Sequence, residues 1–267
     1  MRLDVFFSSI GVAVVFICLL AVKWRVSLRT AAFWAVVIGA ATGLLLNLAD
    51  AAAGPIPWPM LVPAEFGGMA LITFIIVALR FYRDPERVPA ETGDVVISPA
   101  DGKVVSVKRV EESSALVSTK GFRQFKINEI TATDLLSDAA YLIGIDMNVL
   151  NVHVNRAPIA GTIVLKKRVP GSFVSLRREE SETVNERVTS VISNGRLQIG
   201  VIQIASRLVR RIVSPIKEGD QVRLGQRIGA IVFGSQVDVV FSRVDTLRVE
   251  VKPGDEVKAG VTVIARY

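Results

Sequence analysis

Three residues of this chain carry the side chains of a base-activated nucleophile: Asp101, His153 and Ser235. A hydroxyl is a weak nucleophile at its own pKa, so it needs an adjacent base, and the base needs a third group to orient it. His153 is the only histidine in 267 residues, so imidazole chemistry has one address. Cys18 is the only cysteine. That pair of counts excludes a disulfide framework and any multi-histidine or cysteine metal site, and the sequence predicts no metal. Each of the three residues also has an ordinary explanation. Asp101-Gly102 is good turn chemistry. His153 alternates with Val152 and Val154, as on a half-buried strand. Gly234-Ser235 fits a bulge between two strands. Singly they are weak; together they supply an acid, an imidazole and a hydroxyl.

The elements that must position them are mostly strands. Ser235 lies between the apolar runs 228–233 and 237–241, both β-branched and aromatic enough to be strands. From Asp94 onward short Val and Ile runs alternate with Gly, Pro, Asn and Asp, which predicts a β-rich domain over 84–267. Two of its segments repeat each other. Residues 216–225 carry Gly219-Asp220 and Gly225; residues 251–260 carry Gly254-Asp255 and Gly260. Ser98 to Val105 has the same punctuation. Paired turns of this kind look like the sandwiched β-barrel of lipoyl and biotinyl carriers, so the expected fold is mainly β, with that barrel after an N-terminal membrane anchor. Residues 120–140 are more polar and read as an excursion, with a helix starting at Thr131 to Asp134.

Residues 1–83 form the anchor. The chain is 51% hydrophobic with mean hydropathy +0.45, high for a soluble protein. Apolar runs at 6–22, 31–48 and 66–82 are each near the minimum for a spanning helix. Lys23-Trp24-Arg25 after the first run reads as a stop-transfer flank rather than a signal cleavage site. Lys23, Arg25 and Arg29 flank one end of the first two runs, and Arg80, Arg83 and Arg87 follow the third; the linker 49–65 has no Lys or Arg. The positive-inside rule then predicts three spans with everything after Tyr82 cytoplasmic. The alternative is two spans, with the third run lying in the interface. The net charge of +7 suits an anionic partner, and the hydropathy favours lipid over nucleic acid.

Six stretches, in order, carry a resemblance: Phe81 to Arg87, Ser98 to Val104, His153 to Pro158 with Gly161 after it, Asn185-Glu186-Arg187, Ile202 to Ala205, and Phe233-Gly234-Ser235. They resemble the short form of the phosphatidylserine decarboxylase family. Ser206 departs from that pattern where Gly is usual, and Phe233-Gly234-Ser235-Gln236 differs from the Leu-Gly-Ser-Thr of longer bacterial members. The resemblance implies that Asp101 orients His153, that His153 takes the proton of Ser235, and that the Ser235 oxygen attacks the Gly234 carbonyl. The chain would then part into a β fragment (1–234) and an α fragment (235–267) that stay associated. Ser235 would become a pyruvoyl group, the cofactor that acts as electron sink when a serine headgroup loses carbon dioxide. The implied partner is a membrane phospholipid with a serine headgroup, diacyl or archaeal ether-linked; the span pattern and the lack of a cleavable leader fit a prokaryotic inner membrane better than a mitochondrion.

Such a headgroup is anionic, and Arg156, three residues from His153, is the nearest candidate to bind it. Lys166-Lys167-Arg168, Arg177-Arg178 and Arg207 to Arg211 add positive charge. Edge-rich β segments would suit a homodimer. A reading from another class is a membrane-anchored adaptor or scaffold with a lipoyl-like barrel. It predicts a Met-flanked Lys at a hairpin tip or long heptad helices, which the sequence lacks, and it leaves Asp101, His153 and Ser235 without a role.

Overall fold

A computed structural model describes residues 1–24, 26–110, 116–117, 125–136, 138–171, 185–205, 211–232 and 235–267. It comprises two compact units: Met1–Tyr82 with Asn148–Leu150, and Arg83–Met147 with Asn151–Tyr267.

The first unit holds helices α1 (Leu3–Trp24), α2 (Leu28–Ala53) and α3 (Trp58–Phe81). All three are long and apolar enough to cross a membrane; at about 1.5 Å per residue they reach roughly 33–39 Å, against a hydrocarbon core of about 30 Å. α3 begins eight residues before the expected Phe66. Pro57 is its N-cap and a proline occupies its first turn, where a missing N–H breaks no helical bond, so the proline-rich stretch starts the helix instead of preceding it. α1 and α2 approach closely because α2 presents glycines to the α1 backbone. A Cβ on Gly39 would lie 2.6 Å from the Ile10 Cα, and one on Gly43 would lie 2.9 Å from the Phe6 Cα. Glu65, which the sequence assigned to a linker, is buried in α3 and accepts hydrogen bonds from the Ser9 (2.9 Å) and Ser8 (3.3 Å) hydroxyls of α1.

The second unit is built from β1 (Val95–Ile97), β2 (Gly102–Arg109), β3 (Leu116–Val117), β4 (Phe125–Lys126), β5 (Ala139–Met147), β6 (Val154–Arg156), β7 (Gly161–Val169) and β8 (Arg187–Ser193). It continues with β9 (Gln198–Ala205), β10 (Arg211–Val213), β11 (Gln221–Val222), β12 (Arg227–Val232), β13 (Ser235–Ser242), β14 (Arg248–Val249), β15 (Glu256–Val257) and β16 (Val263–Arg266). An eight-stranded sheet runs β11-β7-β8-β9-β13-β5-β2-β15, with three-stranded sheets β1-β16-β14 and β10-β12-β6 beside it and the pair β3-β4. The unit is thus mainly β, as expected. α4 (Ile127–Thr131) lies between β4 and β5. A helix was expected to start at Thr131; instead one stops there. Ala132 takes a left-handed φ of 56°, and the Thr131 hydroxyl bonds the Thr133 carbonyl at 2.9 Å, so its capping chemistry closes a turn.

The repeated Gly-Asp segments have a structural counterpart. Gly219 N–H donates to Ile163 O and Gly254 N–H to Val104 O, both at 2.8 Å. Asp220 O accepts from Ile163 N–H and Asp255 O from Val104 N–H, both at 2.9 Å. The strands that follow these turns, β11 and β15, are the two edges of the large sheet, paired with β7 and β2. Reciprocal bonds join the two arms: Ile97 N–H to Pro158 O (3.0 Å) and Arg156 N–H to Pro99 O (2.9 Å). The small sheets correspond as well, β1-β16-β14 to β6-β12-β10. One half of the duplication is continuous, β6 to β12. The other is split, with β1, β2 and β5 before it and β13 to β16 after it.

β13 is central to the large sheet, paired along its length with β5 and β9. Val237, Val239 and Phe241 enter the main core with Val96, Ile145 and Ile163. Val240 enters a second cluster with Ile130, Leu136 and Ile202. Burial on both faces lets Val239, Val240 and Phe241 follow one another as apolar residues, while Gln236 and Asp238, also buried, bond each other from Gln236 Nε2 to Asp238 Oδ1 at 2.6 Å.

Candidate active site

Asp101 sits at the turn into β2, and the turn needs its glycine. Gly102 has φ 151°, and a Cβ there would lie 2.3 Å from Asp146 O. The turn buries the Asp101 side chain, whose carboxylate is held by four donors. Arg87 grips it as a fork, Nη1 to Oδ1 and Nη2 to Oδ2 at 3.0 Å. Ala259 N–H donates to Oδ1 at 2.8 Å and Val152 N–H to Oδ2 at 3.2 Å. Burial alone would raise the pKa of Asp101, but the Arg87 fork and the two N–H donors outweigh it and hold the carboxyl below its ordinary range. Arg87 Nη1 also donates to Ala259 O at 2.8 Å.

The Val152 bond brings Asp101 to the residue before His153. The imidazole, 2% exposed, places Nδ1 2.9 Å from the Asn151 carbonyl oxygen. A carbonyl only accepts, so Nδ1 carries the proton in that bond and Nε2 is the basic nitrogen. Burial, helped by the nearby charge of Arg83, outweighs the opposing effects of the Asn151 bond and the Asp101 charge and pushes the His153 pKa down to about 4. At neutral pH the ring is uncharged, the state required of a proton acceptor. Asp101 meets His153 through the backbone in these described bonds, setting the peptide that carries the ring.

The same backbone reaches the serine. His153 O accepts from Ile231 N–H at 3.1 Å, and Val154 is in register with Ala230 on β12. Two residues beyond Ile231 come Phe233 and Gly234, which lie outside the described residues. Ser235 then opens β13, in register with Met147 on β5 and Ala205 on β9. Ala205 is itself pinned, its carbonyl accepting from Asn185 Nδ2 at 2.9 Å and its N–H donating to Glu186 O at 2.9 Å. Two positions along β9, Gln203 Nε2 donates to Asn155 Oδ1 at 2.7 Å in the buried interior. The fold thus gathers Asp101, His153 and the β12–β13 junction into one neighbourhood.

Arg156 is turned elsewhere. It is 3% exposed, with Nη1 donating to Gly225 O (3.0 Å) and Nη2 to Asp84 Oδ1 (3.2 Å) and Pro85 O (3.0 Å). Arg227 binds Asp84 and Glu86 as well. Residues 84–87 are therefore strapped to the β unit and end on Asp101. Lys166 donates to the carbonyls of Ser214 and Ile216, both at 2.7 Å, and Arg168 to Ile212 O at 2.6 Å. These cations close the sheet. Arg177, Arg178 and residues 206–210 lie outside the described residues.

A buried imidazole that is uncharged at neutral pH thus follows the residue whose N–H bonds the Asp101 carboxylate, and its own carbonyl is tied to β12. Residues 74–265 match the profile of the family described as phosphatidylserine decarboxylase. A protein of Methanocaldococcus jannaschii, named provisionally as an archaetidylserine decarboxylase proenzyme, is 38% identical over 201 residues, covering 75% of this chain and 95% of its own. The phosphatidylserine decarboxylase proenzyme of Chlorobium phaeobacteroides is 36% identical, covering 78% and 87%, and that of Solibacter usitatus 37%, covering 84% and 95%. The chain belongs to the phosphatidylserine decarboxylase family.

Proposed function

We propose that this chain is the proenzyme of a membrane-bound decarboxylase that converts the serine headgroup of a phospholipid to ethanolamine. Family membership across 74–265 is the observation that carries it. In this reading neutral His153 accepts the proton of Ser235 through Nε2, and the Ser235 oxygen attacks the Gly234 carbonyl. Asp101 does not take a proton. Held charged by Arg87, it fixes the 152–153 peptide and favours the imidazolium that forms.

The junction suits a group made from the chain itself: the backbone of Ser235 heads a strand held on both sides by ladders, so a group formed there has a fixed attachment. The pyruvoyl group derived from Ser235 would supply the electron sink for the departing carbon dioxide. His153, having taken up a proton that the substrate amine releases, is the proton source for the carbon left behind. Arg156, committed to Asp84, Pro85 and Gly225, acts in this reading as a strut of the strap rather than as a headgroup ligand.

The three apolar helices anchor the molecule as a multi-pass membrane protein. Their basic flanks argue for a cytoplasmic β unit at an inner membrane. The duplicated arms, with their matched Gly-Asp turns at the sheet edges, support the sandwiched barrel of carrier domains as the ancestral plan. Intact-mass measurement tests the whole reading. A fragment of residues 235–267 bearing pyruvoyl in place of serine is expected, and Ser235→Ala should give one uncut chain. A single full-length mass for the unaltered protein would refute self-processing.

A further inference from the structure

The helical unit contains a groove of about 110 Å³ between its three helices. That is somewhat smaller than the roughly 150 Å³ cavity that admits benzene, so it has room for part of an acyl chain. Its walls are apolar, with Ile17 of α1, Ile38 of α2 and Ile76 of α3. Three polar side chains interrupt them, and one, Thr30 near the start of α2, is paired with the Ser27 hydroxyl at 2.7 Å. Arg80 stands at the lip, its guanidinium 6.0 Å from the Trp34 ring. Thr73, seven residues earlier on α3, lines the interior and is 7% exposed. Its buried hydroxyl has no partner.

The hydroxyl is unusual in its own bundle. Thr42 on α2 bonds the carbonyl four residues back, Ile38 O, at 2.9 Å, the usual refuge of a helical threonine. Thr73 forgoes it and faces an apolar groove, where an unsatisfied hydroxyl is costly. The order along α3 is a cation at the lip, a hydroxyl donor about 10 Å deeper, and hydrocarbon walls around it. A phospholipid has the same order: phosphate, ester carbonyl, acyl chain. Arg and Trp together at a helix end are also what the bilayer interface favours.

We infer that this groove binds the serine phospholipid substrate, with its phosphate at Arg80 and an ester carbonyl accepting from Thr73, so that the helices select an ester-linked backbone as well as anchoring the enzyme. This rests on the decarboxylase reading above.

The test uses the processed full chain in mixed micelles, with dioleoyl phosphatidylserine and its diether analogue as substrates. The unaltered enzyme should show a KM about threefold to tenfold lower for the ester lipid, the worth of one neutral hydrogen bond. Thr73→Val, nearly isosteric, should abolish that preference by raising KM for the ester lipid to the value for the diether. Arg80→Gln should raise KM for both lipids about tenfold, and Ile76→Trp, which fills the groove, should raise both as well. Equal KM values in all three variants and the parent would overturn the inference, leaving a groove filled with water. Native mass spectrometry keeps the two readings apart. If neither lipid is turned over the decarboxylase reading fails, whereas loss of bound phosphatidylserine in Arg80→Gln and Ile76→Trp reports on the groove alone.

Discussion

Asp101 keeps its charge in the interior because Arg87 reaches it across 14 residues of sequence, and the pair stands or falls together. Removing one partner of a buried ion pair costs about 3–5 kcal/mol, because the other is left uncompensated. Arg87→Gln is therefore expected to lower the melting temperature and to slow self-cleavage strongly. Arg87→Lys, which restores charge but not the fork, should recover only part of both, measured as the fraction of cut chain over time. His153 sets the pH response. With its pKa at about 4 against about 6.5 unfolded, the unfolded chain binds a proton between these values that the folded chain does not. Stability thus falls as pH drops through that window, by on the order of 3 kcal/mol at its lower end. Processing rates at pH 7 and pH 5 should agree within about twofold, where an unshifted imidazole would lose about twentyfold. At this scale Asp101, His153 and Ser235 were legible because their types announce chemistry. Arg87 and the Asn155–Gln203 pair were not, since partners 14 and 48 residues apart leave no local pattern.

Among the elements, the helices follow from apolar length alone, but their ends do not. Prolines at 57 and 59 signal a break to a reader of sequence, whereas a helix start accommodates both. The same ambiguity misplaced the helix near Thr131, because a capping residue serves a start and a stop alike. Packing between α1 and α2 depends on bare backbone. Gly39→Leu should force the helices apart and lower the thermal stability of the detergent-solubilised protein, whereas Gly67→Ala, with open space around its Cα, should be neutral. Circular dichroism melts of the two variants would separate these outcomes.

The two halves of the β unit were half visible: the Gly-Asp turns repeat in sequence, but the strands between them share only a pattern of burial. The split of one half bears on what cutting does. Every strand after Ser235 is paired to one before it or to a strand so paired: β13 to β5 and β9, β15 to β2, β16 to β1. The 235–267 fragment should therefore co-elute with 1–234 on size exclusion in mild detergent and separate only in denaturant. Elution of the two pieces apart under native conditions would contradict this.

The same interlacing puts a clock in the protein. A ribosome delivers the continuous half before the strands that complete the split one. Asp101 lacks its Ala259 donor, and β1 lacks its partner β16, until nearly the whole chain has been made. In the reading proposed above, the base that would activate Ser235 is therefore not set until those last strands are in place, and cutting at residue 234 would wait on the completed fold rather than on the removal of an inhibitor.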